Sequence, residues 1–509
     1  MKFKLYNQNQ AMLLPPSLVE CLPPDHCCFI INDIVDHLDL SEIEKPYTEE
    51  GAPAYNPRMV IKIIFYAYTK GIRSSRKIEV AIDDSIALRY LAANQHLDHG
   101  TINLFRKNQL SKLPDIFAQI VILAAKLGLA NFSSISVDGT KIKAAASKNN
   151  LMTKEEIAKL KAKIETFLSE AEKVDAEEDK EFGNKRGYDQ IPEHLADPKT
   201  RKREIEKLQK KLTDIEEASQ EIDRKQHQAE KLAKAEMNKT NSKTSNTTDP
   251  DSALMKMKDG SFKMAYNCQI VTANQFIAAY DVTTDPSDTH SLQSMVGQAE
   301  DNTKQKIDDA KADPAYFNQE NITFLKDKKI EAFIPDTRKR EDEKKDKENT
   351  ASRFDRKNFE YHQKKDEFSC PEGKRLILKK KNKDGTKEYR GTQCHDCPFK
   401  SECTRGTARF ITMNFKLDKL TKEMRFKLNT PEGKKKYAKR FGDVEPAFGN
   451  IKHNLGFTEF LCRGKEMALR ELGLISTAHN LTKIFFGLKR KQIKRENINW
   501  ESQMITQTT

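Results

Sequence analysis

The feature that most restricts how this chain can fold is an interruption. Residues from about 150 to 248 form a compositional island of helical pattern, set between two stretches of β-like text. Before it, Phe132, Ile135 and Val137 make a short β-prone run that ends on Asp138, with Gly139 next. After it, Phe262 to Thr272 alternates, Asn274-Gln275 offers a turn, and Phe276 to Thr283 pairs back as a hairpin. Strand-like sequence resumes straight after the island, so the island is an insertion. Within it, Thr153-Lys-Glu-Glu156 reads as a capping box. Ile157, Leu160, Ile164, Phe167 and Leu168 form one helical stripe, and Ile205, Leu208, Leu212, Ile215 and Ile222 recur at spacings of three and four. That is a short coiled-coil seam, the mark of an antiparallel helical arm, structural or dimer-forming first and DNA-contacting second.

The text ahead of the island is helical. Pro57 suits a first helical position, Met59, Val60, Ile63, Ile64 and Ala67 follow at helical spacing, and Gly71 stops the run. Asp98 to Lys107 gives a turn, a cap at Thr101 and a helix carrying Arg106 and Lys107. A helix-turn-helix DNA reader needs that pattern, although an ordinary helical hairpin with solvated cations fits it too. Ile116 to Leu129 is another apolar helix. Beyond the hairpin, Thr289 to Ala299 is helical, Asp313 precedes a helix at Glu320 to Leu325, and Ile330 to Pro335 is a strand. This order predicts a mixed sheet flanked by helices. Arg338 to Asp366 is densely charged, an exposed loop or a basic contact surface, and Arg463 to Phe486 reads as a long core-packing helix.

At 509 residues the chain has room for two or three domains, and with 32% charged residues it is very polar. No apolar run approaches the length of a membrane helix, and Met1 to Asn7 lacks a signal-peptide core, which points to the cytoplasm. A net charge of +13 favours a polyanionic partner, most simply nucleic acid. Four of nine cysteines cluster: Cys370, Cys394, Cys397 and Cys403. They fit a thiolate zinc site or a set of reduced structural thiols. Near the C-terminus Glu445 stands alone among Lys435, Lys436, Lys439, Arg440 and Lys452 on an amphipathic helix. By itself that acid reads as a solvated salt-bridge partner; with acids from elsewhere in the chain it reads as a metal ligand beside a polyanion.

Those other acids are Asp138 and Asp313. Ser136-Val-Asp138-Gly-Thr-Lys-Ile-Lys-Ala, Tyr266-Asn267-Cys-Gln269, Asp281-Val-Thr-Thr-Asp285-Pro, Ala312-Asp313-Pro-Ala-Tyr316-Phe317 and Val444-Glu445-Pro-Ala-Phe448-Gly449-Asn-Ile-Lys452 occur in that order. The set resembles the DDE transposases of bacterial insertion sequences, in the branch with a Tyr-Arg-Glu-Lys signature around its glutamate. Asp98 to Arg106 and the four cysteines resemble the same branch. The resemblance implies an α+β fold with a ribonuclease-H-like core and mixed sheet. A helical DNA-binding domain (1–130) would precede that core, formed by 131–149, 249–336 and 411–490. The coiled-coil insertion (150–248) and the charged and cysteine segment (337–410) would interrupt it, and 491–509 would be a tail.

The resemblance further implies a bacterial, cytoplasmic enzyme, associated with the nucleoid when bound to DNA. It would bind the element's terminal inverted repeats and target DNA as a homodimer, away from membranes. Two Mg²⁺ ions, replaceable by Mn²⁺, would be held by Asp138, Asp313 and Glu445 for cleavage and strand transfer. Tyr437, Arg440 and Lys452 would contact the DNA end. The polar run Ile307-Asp-Asp-Ala-Lys-Ala, where a buried strand is expected, leaves Asp308 or Asp309 as an alternative second ligand. A DNA-binding relative without catalysis and a metal-dependent nuclease without joining are the competing functions.

Overall fold

The computed structural model describes residues 17–47, 53–166, 198–231, 244–337, 352–382 and 385–503. It is a mixed α+β protein whose main sheet joins a strand that ends at Lys143 to strands from Ala253 onward. The strands are β1 (Ser134–Lys143), β2 (Ala253–Lys256), β3 (Phe262–Ala273), β4 (Phe276–Thr283), β5 (Asp309–Ala312) and β6 (Glu331–Phe333). β3 is antiparallel to β1, β2 and β4, whereas β5 runs parallel to both β1 and β6. The β3–β4 hairpin turns at Asn274 and Gln275, both at positive φ, as a two-residue turn of this kind requires.

β1 runs on through Asp138 to Lys143, so the acid lies within a strand and not at its end. What ends there is the parallel pairing: the last β1–β5 partners are Val137 and Ala312. The chain of β5 leaves the sheet at Asp313, which opens space beside Asp138. The polar run before Asp313 still makes a buried strand. Lys311, 1% exposed, reaches Ser134 Oγ at 2.6 Å and Asp309 Oδ1 at 3.1 Å, so its ammonium is satisfied in place. Asp309 thus belongs to the far end of β5, facing Ser134, and Asp308 lies beyond it.

The helices α1 (Cys27–His37), α2 (Pro57–Thr69), α3 (Ser75–Asp84), α4 (Ile86–Leu91), α5 (His99–Asn108) and α6 (Leu113–Lys126) share one continuous core with the sheet. The cap of α5 is Asp98, whose Oδ1 accepts from the Thr101 backbone N–H at 2.9 Å, and not Thr101. Behind the sheet come α7 (Leu292–Thr303) and α8 (Gln319–Asp327), and later α9 (Phe415–Asn429), α10 (Pro431–Gly449) and α11 (Lys465–Arg490). α11 carries buried polar residues with a defined task. Asn480 bonds both the N–H and the C=O of Ile277, at 2.9 and 2.8 Å, and so covers the edge of β4.

In the insertion, Thr153 and Glu156 form the reciprocal bonds of a capping box, at 2.8 and 3.3 Å. Ile157 and Ile164 from helical residues 154–166 pack on Ile215, Ala218 and Ile222 of the helix Pro198–Lys231. The side chains of Phe167, Leu168 and Ile205, and residues 338–351 of the charged segment, lie outside the described residues. A second sheet, β7 (Glu360–His362), β8 (Glu367–Ser369), β9 (Arg375–Lys381), β10 (Lys387–Gly391) and β11 (Phe410–Met413), follows the main one. Its small core is Phe359, Phe368, Leu376, Tyr389 and Ile411.

Candidate active site

α10 lies across β1, and Ser136, Asp138 and Thr140, on one face of the strand, each meet a side chain from α10 or the turn that follows it. Ser136 Oγ donates to Asp443 Oδ2 at 3.1 Å, and Lys452 Nζ donates to Thr140 Oγ1 at 2.5 Å. Between them, Arg440 Nη2 stands 3.1 Å from Asp138 Oδ2 and 3.4 Å from Asp313 Oδ2. Two acids from distant parts of the chain therefore meet on one nitrogen. Their other oxygens accept backbone N–H groups: Asp138 Oδ1 from Gly139 at 3.0 Å, and Asp313 Oδ1 from Ala315 at 3.2 Å. Arg440 is 7% exposed, and its Nε is buried without a hydrogen-bond partner.

Burial raises the Asp138 carboxyl above the ordinary aspartate range; Arg440 opposes this, while Asp313 and Asp288 push the same way as burial. Tyr437 sits beside Arg440, its hydroxyl pushed up chiefly by burial. Lys452 reaches Thr140 because the helix ends in a π-turn, Asn450–Asn454, whose wider winding rotates it toward β1. Burial, then Lys258, lowers the pKa of Lys452.

Glu445 is not drawn into this cluster. It follows Arg440 by five residues, about 140° around the helix, and is exposed to solvent. Arg106 is buried: it donates to Arg73 O at 2.9 Å and stacks over Tyr68. As a surface DNA contact it is therefore corrected, because its guanidinium joins α5 to the loop before α3. Lys107 is exposed. Cys370, Cys394, Cys397 and Cys403 face one cavity of about 30 Å³ beside the second sheet.

The donor chemistry can be tested against a metal. Asp138 and Asp313 are hard oxygen donors close enough to share a cation, and a guanidinium now lies between them, so those two fit in kind and position. Glu445 does not fit as it stands. Among the described residues, no group of three or more His, Cys, Asp or Glu is gathered tightly enough to hold a metal ion.

One acid escaped the sequence reading. Asp288 Oδ1 accepts from Asn267 Nδ2 at 2.7 Å and Gln269 Nε2 at 2.6 Å, and Tyr316 Oη donates to Gln269 Oε1. The group packs against Gly139: a Cβ there would lie 2.4 Å from both Asp288 Oδ1 and Gln269 Nε2. The available signal was Asn267 and Gln269 in an otherwise apolar strand, since buried amides need partners.

Two stretches of the chain match known protein families. Residues 369–485 match the family described as Transposase DDE domain, and residues 16–108 match the one described as Transposase domain (DUF772). The first match contains Tyr437, Arg440, Glu445, Lys452 and the four cysteines; both aspartates lie outside it. Both matches support reading the chain as an insertion-sequence DDE transposase. No curated protein and no solved structure matches. Among the described residues no helix is long and apolar enough to cross a membrane.

Proposed function

We propose that this transposase binds the ends of its element as double-stranded DNA, cleaves them and joins them to a target, with Asp138 and Asp313 as metal-holding acids. One observation carries the reading: the two acids converge on Arg440 where the β1–β5 pairing ends. The mixed sheet is the ribonuclease-H-like core of the resemblance, and the paired helices of the insertion are its coiled-coil arm. Asp138 and Asp313 would hold a divalent metal pair, which when bound would supply an activated oxygen nucleophile and stabilise the leaving oxygen. Glu445 is the proposed third ligand, reached once DNA draws Arg440 away and α10 shifts. Tyr437, Arg440 and Lys452 then turn their donors to phosphate. Lys107 contacts DNA from the helical domain, a homodimer brings two ends together, and the four thiols, not gathered tightly enough as they stand, would close on a structural zinc.

The test is a strand-transfer assay with element-end duplex and Mg²⁺. Joined product supports the reading. Cut but unjoined ends indicate a nuclease, and retarded but uncut DNA indicates a binder.

A further inference from the structure

A large cavity lies away from the acids. It is an open groove of about 1160 Å³ along the other flank of α10, bounded by the β3–β4 turn and the last two turns of α11. Lys439, Lys483, Arg490 and Lys491 line it. Their partners are neutral: Lys483 Nζ donates to Gln275 Oε1 at 2.6 Å and Lys491 Nζ to Gly128 O at 2.7 Å. Among the described residues Lys439 and Arg490 form no ion pair. The one described carboxylate in the lining, Asp443, bonds Ser136 and has Lys311 and Lys439 near it, so the lining stays net positive. Burial, then Arg490, pulls the Lys483 pKa down, as expected of cations crowded without a counter-charge. A concave surface with a net excess of positive charge attracts a polyanion.

The groove has a fixed place relative to the acids. Ser134 lines it, and Asp138 lies four residues further along β1, about 13 Å away at strand rise. A DNA strand advances about 3.4 Å per nucleotide, so the offset is about four nucleotides. We propose that this groove seats the phosphodiester backbone of the DNA about four nucleotides from the bond being cut. The inference rests on the reading of the chain as a DNA-cutting enzyme.

The test uses the full chain and a mixed-sequence DNA duplex, with binding followed against salt. Each phosphate contact contributes about 0.9 to the slope of log affinity against log salt, so Lys439→Gln/Lys483→Gln/Arg490→Gln should flatten it by about 2.7. An unchanged slope overturns the groove and leaves the wider reading standing; a wild-type chain that fails to bind duplex overturns both. A second measurement needs no variant. Uncharged methylphosphonates placed singly along a cleaved duplex should weaken wild-type binding most at about four nucleotides from the cut, and weakening confined to the cut itself overturns the proposal.

Discussion

The acid cluster and the cysteine cluster are both polar groups that the sequence marks as metal sites, and the molecule treats them differently. Asp138, Asp313 and Asp288 stand over the large core, and most of their carboxylate oxygens meet a donor from Arg440, a backbone N–H, Asn267 or Gln269. The four thiols surround a small cavity beside a sheet whose own core is five residues, and Cys394 Sγ receives a 3.5 Å bond from the Arg409 N–H. A thick core fixes the acids before any ligand arrives. A small sheet buries too little to fix the thiols, so there a metal would contribute stability.

The largest contrast should come from deleting the acids themselves. Asp138→Ala or Asp313→Ala should lower DNA cleavage by about a thousandfold or more, several kcal/mol of lost transition-state stabilisation, while duplex affinity holds. At the thiols the effect should be on folding. Metal analysis should find one zinc per chain, and chelation should remove about 4 kcal/mol from the second sheet if free zinc stood a thousandfold above its Kd. Purified protein without zinc would remove that site and leave the acids unaffected.

Arg440→Met separates positioning from ligation. Cleavage should fall about 10- to 100-fold, as for residues that orient ligands. The pH profile of kcat/KM, which reports the DNA-free enzyme where Arg440 stands beside Asp138, should move as well. Burial already raises the Asp138 pKa and Arg440 opposes it, so losing the cation raises it further. The active carboxylate is the charged form, hence activity is lost as pH falls through that pKa, and the acid limb should shift to higher pH. An unmoved limb would show that Arg440 does not hold Asp138. Smallest is Gly139→Ala, whose methyl must displace Asp288 or Gln269; an effect of about tenfold on cleavage, with about 1–3 kcal/mol of stability, is expected from overpacking. Wild-type behaviour there would mean that the Asp288 network has slack.

Much of this organisation was legible in the text. The capping box at Thr153, the turn at Asn274-Gln275 and the strands on either side of the insertion follow from local chemistry, which neighbouring residues determine. Other features depend on distant partners. Lys311 makes a polar run into a buried strand only because Ser134 and Asp309 face it. Arg106 turns inward because Tyr68 and the Arg73 carbonyl await it. The pairing of Asp138 with Asp313 was suggested by motif order, whereas Arg440 between them and Glu445 facing away depend on how α10 rolls across β1, which periodicity does not set.

The most direct test of the central claim exchanges a ligand and then the metal. Asp313→Cys replaces a hard oxygen with a thiolate, which disfavours Mg²⁺ and tolerates softer ions better. With duplex binding intact as the control for folding, the variant should be inactive in Mg²⁺ and regain cleavage in Mn²⁺. Full activity in Mg²⁺, or equal inactivity with both metals, would contradict a metal held by Asp313.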